Sequence, residues 1–203
     1  MIDMTALGGE LGVARAEVLA DPWGILTLAR RTRIWVAMDD PADAEASYRH
    51  RTYLKMACVR HVQHVWYRAY PGDPRLEEML TLTQALIDQT ADSQQAEMQA
   101  YEFFDDVVAC LEPGQDSEWA ALVAHAARNT VFSALCRNPD FDTGDPDDDD
   151  DALMPDSLEP SYSCCNAVAK GMIWQPDEEV DVEARRAFWL WYLDEAVPWA
   201  ITT

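Results

Sequence analysis

Three groups of side chains in this chain have the types and spacing to do chemistry. Cys58, His61 and His64 recur every third residue, and thiolate and imidazole are zinc ligands. On a helix each step of three leaves a residue about 60° from the last, so Cys58 and His64 end about 120° apart and do not easily share one ion. Cys58 and His61 also fall on an apolar stripe, where a core thiol and a hydrogen-bonded core histidine are the ordinary occupants. Asp145, Asp147, Asp149 and Asp151 alternate like the ligands of a calcium loop. The loop lacks the glycine at the sixth position and the closing glutamate at the twelfth, so a solvated acidic loop that can meet a partner is the better reading.

The third group is Asp194-Glu195. Adjacent helical residues point about 100° apart, so these two cannot face each other as acid and base. Glu195 follows Phe188 and Trp191, and precedes Trp199, at helical spacing. A carboxylate amid three aromatic rings is costly to bury unless paired. The expectation is a structural buried carboxylate at Glu195, paired with Arg49, Arg60 or Arg128. The competing expectation is a partly exposed face on which Glu195 reaches water. No G-x-S-x-G, P-loop, Rossmann fingerprint, H-E-x-x-H or kinase pattern occurs. The residues thus give no specific reason to propose an enzyme, and no catalytic residue, metal or cofactor is expected.

The elements that must position these groups read as helices. The spacing predicts helices over 2–20, 23–31, from Asp40-Pro41 to Tyr70, from Asp73-Pro74 to Asp88, from Ser93 to Leu111, from Asp116 to Arg137, over 161–172 and over 183–199. In the helix after Ser93, the inward residues are read as Met98, Tyr101, Phe104, Val108 and Leu111. Ile34-Trp35-Val36-Ala37-Met38 has strand-like composition but no partner, and reads as a buried connector or a helix start. Residues Ala187 to Leu193 are apolar or aromatic without interruption. A helix apolar all round is buried, so this one should be the central or locking helix. The expected fold is a single all-α, bundle-like domain over 1–203, with seven or eight helices and one long acidic loop at 138–160. That loop holds ten Asp or Glu up to Glu159 and no Lys, Arg or His.

The net charge is −22. Phosphate repels such a chain, so nucleic acid and anionic membrane surfaces are not expected partners, whereas a basic protein is. No apolar run reaches membrane-spanning length, and Met1-Ile2-Asp3-Met4 does not begin a secretory signal. Five cysteines, an odd count, then suggest free and mostly buried thiols in a cytoplasmic protein.

The stretch Arg186-Ala187-Phe188-Trp189-Leu190-Trp191-Tyr192-Leu193-Asp194-Glu195-Ala196-Val197-Pro198 resembles the closing segment of Imm5-type immunity proteins. Tyr70-Pro71-Gly72-Asp73-Pro74-Arg75 is similar to a turn of the same family. The resemblance implies a bacterial all-α protein that binds and neutralises a cognate toxin of a polymorphic toxin system, without catalysis. Many such toxins act on nucleic acids and are basic, so a polyacidic loop is suited to a site meant for phosphate. Asp145, Asp147, Asp148, Asp149, Asp150, Asp151 and Asp194 are the expected partner contacts. Two other classes stay open here: a metal-dependent helical enzyme using Cys58, His61 and His64, and a regulatory scaffold with no toxin partner.

Overall fold

The structure is a computed structural model, and it describes residues 1–112, 115–137, 150, 159–172 and 180–203. Among the described residues the chain forms helices and no strand. The elements are α1 (Met4–Ala20), α2 (Leu28–Ala37), α3 (Ala44–Ala69), α4 (Arg75–Ile87), α5 (Ser93–Ala109), α6 (Asp116–Cys136), α7 (Pro160–Ala169) and α8 (Val182–Trp191). The last runs on through a π-helical turn (Tyr192–Ala196) and a final α turn (Val197–Ala200).

Aspartate begins four of these eight helices. Asp3, Asp43, Asp92 and Asp181 each accept a backbone N–H from the first turn that follows. Each satisfies a donor that the helix itself leaves open and sets negative charge at the positive end of the dipole. The third helix therefore starts at Asp43 rather than Asp40-Pro41. Asp40 stays in the preceding turn, where it takes the Ala42 N–H and the Met1 ammonium. Asp92, not Ser93, caps α5. Ile34 to Ala37 is the end of α2, with Met38 its C-cap. Ile34, Trp35 and Met38 are buried at helical spacing, and among the described residues there is no strand to pair with an extended segment.

The centre of the fold is the α3–α6 pair, with α4 and α5 also on α6, and α7 against both α3 and α6. Alanine makes this possible. Ala120, Ala121, Ala124, Ala126, Ala127 and Ala134 of α6 are buried on several sides, and short side chains let four neighbours approach one backbone. The most enclosed helix is α7, in which every residue from Pro160 to Ala167 is buried. The central place therefore belongs to α7, and of the two roles expected for the final helix, central or locking, the second is the one its packing fits. In α8, Phe188 and Trp189 enter the core, while Ala187 is exposed and Leu190 and Trp191 are half-buried. It closes the core from one side, with its start packed on the backbone of Gly24. Gly24 has φ +65°, and a Cβ there would come within 3.0 Å of the Arg186 Cβ.

The π turn has a visible cause. Buried positions in this segment are Phe188/Trp189, Tyr192/Leu193, Ala196/Val197 and Ala200, a repeat of four. A regular α-helix turns about 400° in four residues, so such a stripe drifts about 40° per repeat. The Val197 N–H instead reaches back five residues to the Tyr192 carbonyl. The wider turn absorbs the accumulated drift and keeps the stripe facing the core.

The expected face of α5 is also corrected. Its buried residues are Ala96, Ala100, Phe103 and Val107. Met98, Tyr101 and Val108 are exposed by 55%, 49% and 48%.

Candidate functional site

Two of the residues singled out for chemistry are carboxylates that the fold treats in opposite ways. Asp150 is 2% exposed and makes an ion pair with Arg31, which is fully buried. The Arg31 guanidinium lies 5.2 Å from the Trp189 ring, 5.6 Å from Tyr162 and 5.9 Å from Trp35. Burial lowers its pKa, but the charges of Asp150 and then Glu159 more than reverse this, so the net direction is up and Arg31 stays protonated. Asp150 is thus turned inward and is withdrawn from the set of exposed contacts. Asp145, Asp147, Asp148, Asp149 and Asp151 lie outside the described residues.

Glu195 is exposed, which overturns the buried carboxylate. The π turn is the reason, since it carries Asp194 and Glu195 outward between the buried pairs Tyr192/Leu193 and Ala196/Val197. The proposed arginines are engaged elsewhere. Arg49 binds Glu45 at 2.9 Å, Arg60 lies 3.6 Å from Glu77, and Arg128 stacks 4.3 Å from Phe104. Asp194 is exposed, 3.4 Å from Arg15. The repeat of four was the signal in the sequence that could have shown this, because a strict 3.6 period assigns the stripe differently.

Cys58, His61 and His64 do not converge. Cys58 is fully buried, and burial pushes its thiol pKa well up. His61 and His64 are exposed. His61 stacks flat on Trp191, centroids 3.6 Å apart and planes 12° from parallel. Its pKa is lowered, first by partial desolvation of the ring and then by His64, with Glu195 opposing. The five cysteines are free; Cys58, Cys164 and Cys165 are buried, and Cys110 and Cys136 are exposed.

The Tyr70–Arg75 turn is well built. Gly72 takes φ +77°, the Trp66 indole donates to the Asp73 carbonyl at 3.3 Å, and Arg75 grips the Asp73 carboxylate at 2.9 and 2.6 Å. This pairing first, against some burial, holds the Asp73 pKa below the usual carboxylate value.

Charge is sorted by depth. Arg31, Arg51, Lys55, Arg128 and Arg185 are all buried. Lys55 donates to Ser133 at 2.9 Å, Arg185 to the Gly171 carbonyl at 3.1 Å, and Arg51 sits 3.1 Å from Asp39. Among the described carboxylates only Asp150 is buried. The long, weakly hydrated arginine side chain tolerates this better than most ions, and on the outer surface Asp and Glu outnumber the ten Lys and Arg that remain there. No described helix is long and apolar enough to cross a membrane.

Beside this acidic surface, a groove of 390 Å³ runs between α4 and α5, lined by Arg75, Glu78, Met79, Gln99, Glu102, Phe103 and Asp106. No curated protein matches the chain. The family model for Immunity protein Imm5 matches residues 11–199 of the 203, the span that holds the α3–α6 core, the Tyr70–Arg75 turn and the aromatic closing helix, and the chain belongs to the Imm5 immunity protein family.

Proposed function

We propose that this protein binds a cognate toxin and neutralises it stoichiometrically, without catalysis, in the bacterial cytoplasm. The observation that carries the reading is the sorting of charge by depth in a member of an immunity family. Five cations are buried and nearly every described carboxylate faces outward, so the surface attracts a basic protein and repels nucleic acid. The contacts include Asp145, Asp147, Asp148, Asp149 and Asp151, together with Asp194. Their field steers the encounter and raises the association rate more than it tightens the final complex.

The test uses the toxin domain encoded in the adjoining reading frame. Calorimetric titration is expected to saturate at one to one, and co-expression to protect cells only up to that ratio. Protection by a substoichiometric amount would mean catalysis and would overturn the reading. Changing Asp147, Asp148, Asp149 and Asp151 to Asn should slow association about tenfold at low salt, with the difference closing at high salt. An unchanged on-rate at low salt removes these residues from the contact surface.

A further inference from the structure

The outer side of α5 carries an apolar stripe that the core leaves unused. Tyr101 and Val108 are seven residues apart, about 20° around the helix, and Met98 is about 60° from Tyr101. All three are about half exposed. Phe104, half-buried beside them, is overlain by Arg128 at 4.3 Å, and Tyr101 rests on Phe132 with centroids 4.9 Å apart. The stripe is therefore braced from below by Phe132 and Arg128 of α6.

Carboxylates interleave with it as well as border it: Asp105 falls about 40° from Tyr101, between it and Met98, Glu97 lies about 20° beyond Val108, and Glu102 and Asp106 lie on the groove side. Glu97, Glu102, Asp105 and Asp106 are exposed, and α5 contains no Lys, Arg or His. This arrangement works against the helix itself. Glu102 repels Asp105 and Asp106 at i+3 and i+4, and the two aspartates approach the C-terminal end, where the dipole favours cations. In the adjacent groove Arg75 is already held by Asp73 and stands 3.9 Å from Asp106. Among the described residues no cation pairs with Glu78 or Glu102. Exposed apolar side chains interleaved with acid, with no cation on α5 itself, describe the complement of a cationic amphipathic helix.

We propose that the outer face of α5 is the surface on which the toxin docks, through a basic amphipathic helix. Its apolar side lies on Met98, Tyr101 and Val108, and its lysines or arginines enter the Glu78–Glu102–Asp106 groove. This rests on the toxin-binding reading above and assigns it a contact face. A central tyrosine ringed by charge is the composition of an interface hot spot.

The experiment measures affinity for the same adjoining toxin domain with full-length protein. Tyr101→Ser with Val108→Ser should weaken binding about 10- to 100-fold, and Asp105→Lys about tenfold. Both variants should keep the thermal midpoint within about 3 °C, since these side chains are outside the core. Val36→Ser, an exposed position on α2, is the control and should bind as the unaltered protein does. If both α5 variants bind within twofold of the unaltered protein, the α5 assignment is overturned and toxin binding stands. If the unaltered protein does not bind the domain at all, the toxin-binding reading falls and this assignment falls with it.

Discussion

Asp150 and Glu195 show how far a single residue's role depends on the turn it stands in. Asp150 belongs to an unbroken acidic run, Asp147 to Asp151, yet it is the carboxylate that meets the buried Arg31. Removing one member of a buried pair strands the other charge in a low-dielectric setting. Asp150→Asn should therefore lower unfolding stability by about 3 kcal/mol in a urea titration. Glu195→Gln should change it by less than about 0.5 kcal/mol, because its side chain is in water. A comparable loss from both would contradict the contrast in burial. The sequence marked both residues as carboxylates of interest but assigned the buried role to the wrong one. An acidic run predicts solvation on average, and nothing in composition singles out the member that pairs across 119 positions with an arginine of α2.

At the scale of the element, helix identity was legible and helix facing was less so. Proline and aspartate punctuate the chain, so the ends of α3, α4, α5 and α6 fall close to where spacing puts them. The inward side of α5 was misread because two stripes on it satisfy helical spacing. The larger residues, Met98, Tyr101 and Val108, look like core, while the true core stripe is built mainly on Ala96, Ala100 and Val107. Small residues win there because α6 is itself alanine-rich and the two backbones approach closely. The unfavourable charges of α5 lead to an expectation. Asp105→Lys replaces a repulsion from Glu102 with an i,i+3 attraction and sets a cation toward the C-terminal end. It should stabilise the protein by about 0.5 kcal/mol in chemical unfolding. A residue whose replacement improves the fold while weakening partner binding is held for contact and not for stability.

For the whole molecule, the sign of the surface was readable from the count of charged residues, but its depth profile was not. The count does not say that five of the fifteen Lys and Arg lie inside. Acidification tests the assembled fold. His50 has its pKa lowered first by burial, partly offset by the Met38 carbonyl, and His61 has its pKa lowered in the same direction. The unfolded chain therefore binds more protons than the folded one as pH falls below about 6.5. Stability from these two groups is fully present above that value and is lost as pH drops through their folded values. The thermal midpoint should fall between about pH 7.5 and 5.5 at constant ionic strength. The His50→Gln, His61→Gln double variant should show a flatter profile over the same interval. An identical slope would place the acid sensitivity elsewhere.

The π turn also determines where this chain can change length. A regular α-helix places residues seven apart nearly in line, whereas eight apart they diverge by about 80°. Trp189 and Val197 are eight apart and both buried, so one residue between them is surplus to the α register and is accommodated at the exposed Asp194-Glu195 bulge. Loss of either residue leaves Trp189 and Val197 seven apart, still aimed at one core. Loss of Leu190 instead puts the missing step before Tyr192 and Leu193 and rotates both by about 100° out of the interior. Along this helix, insertions and deletions are tolerated at the bulge and excluded on the aromatic side of it.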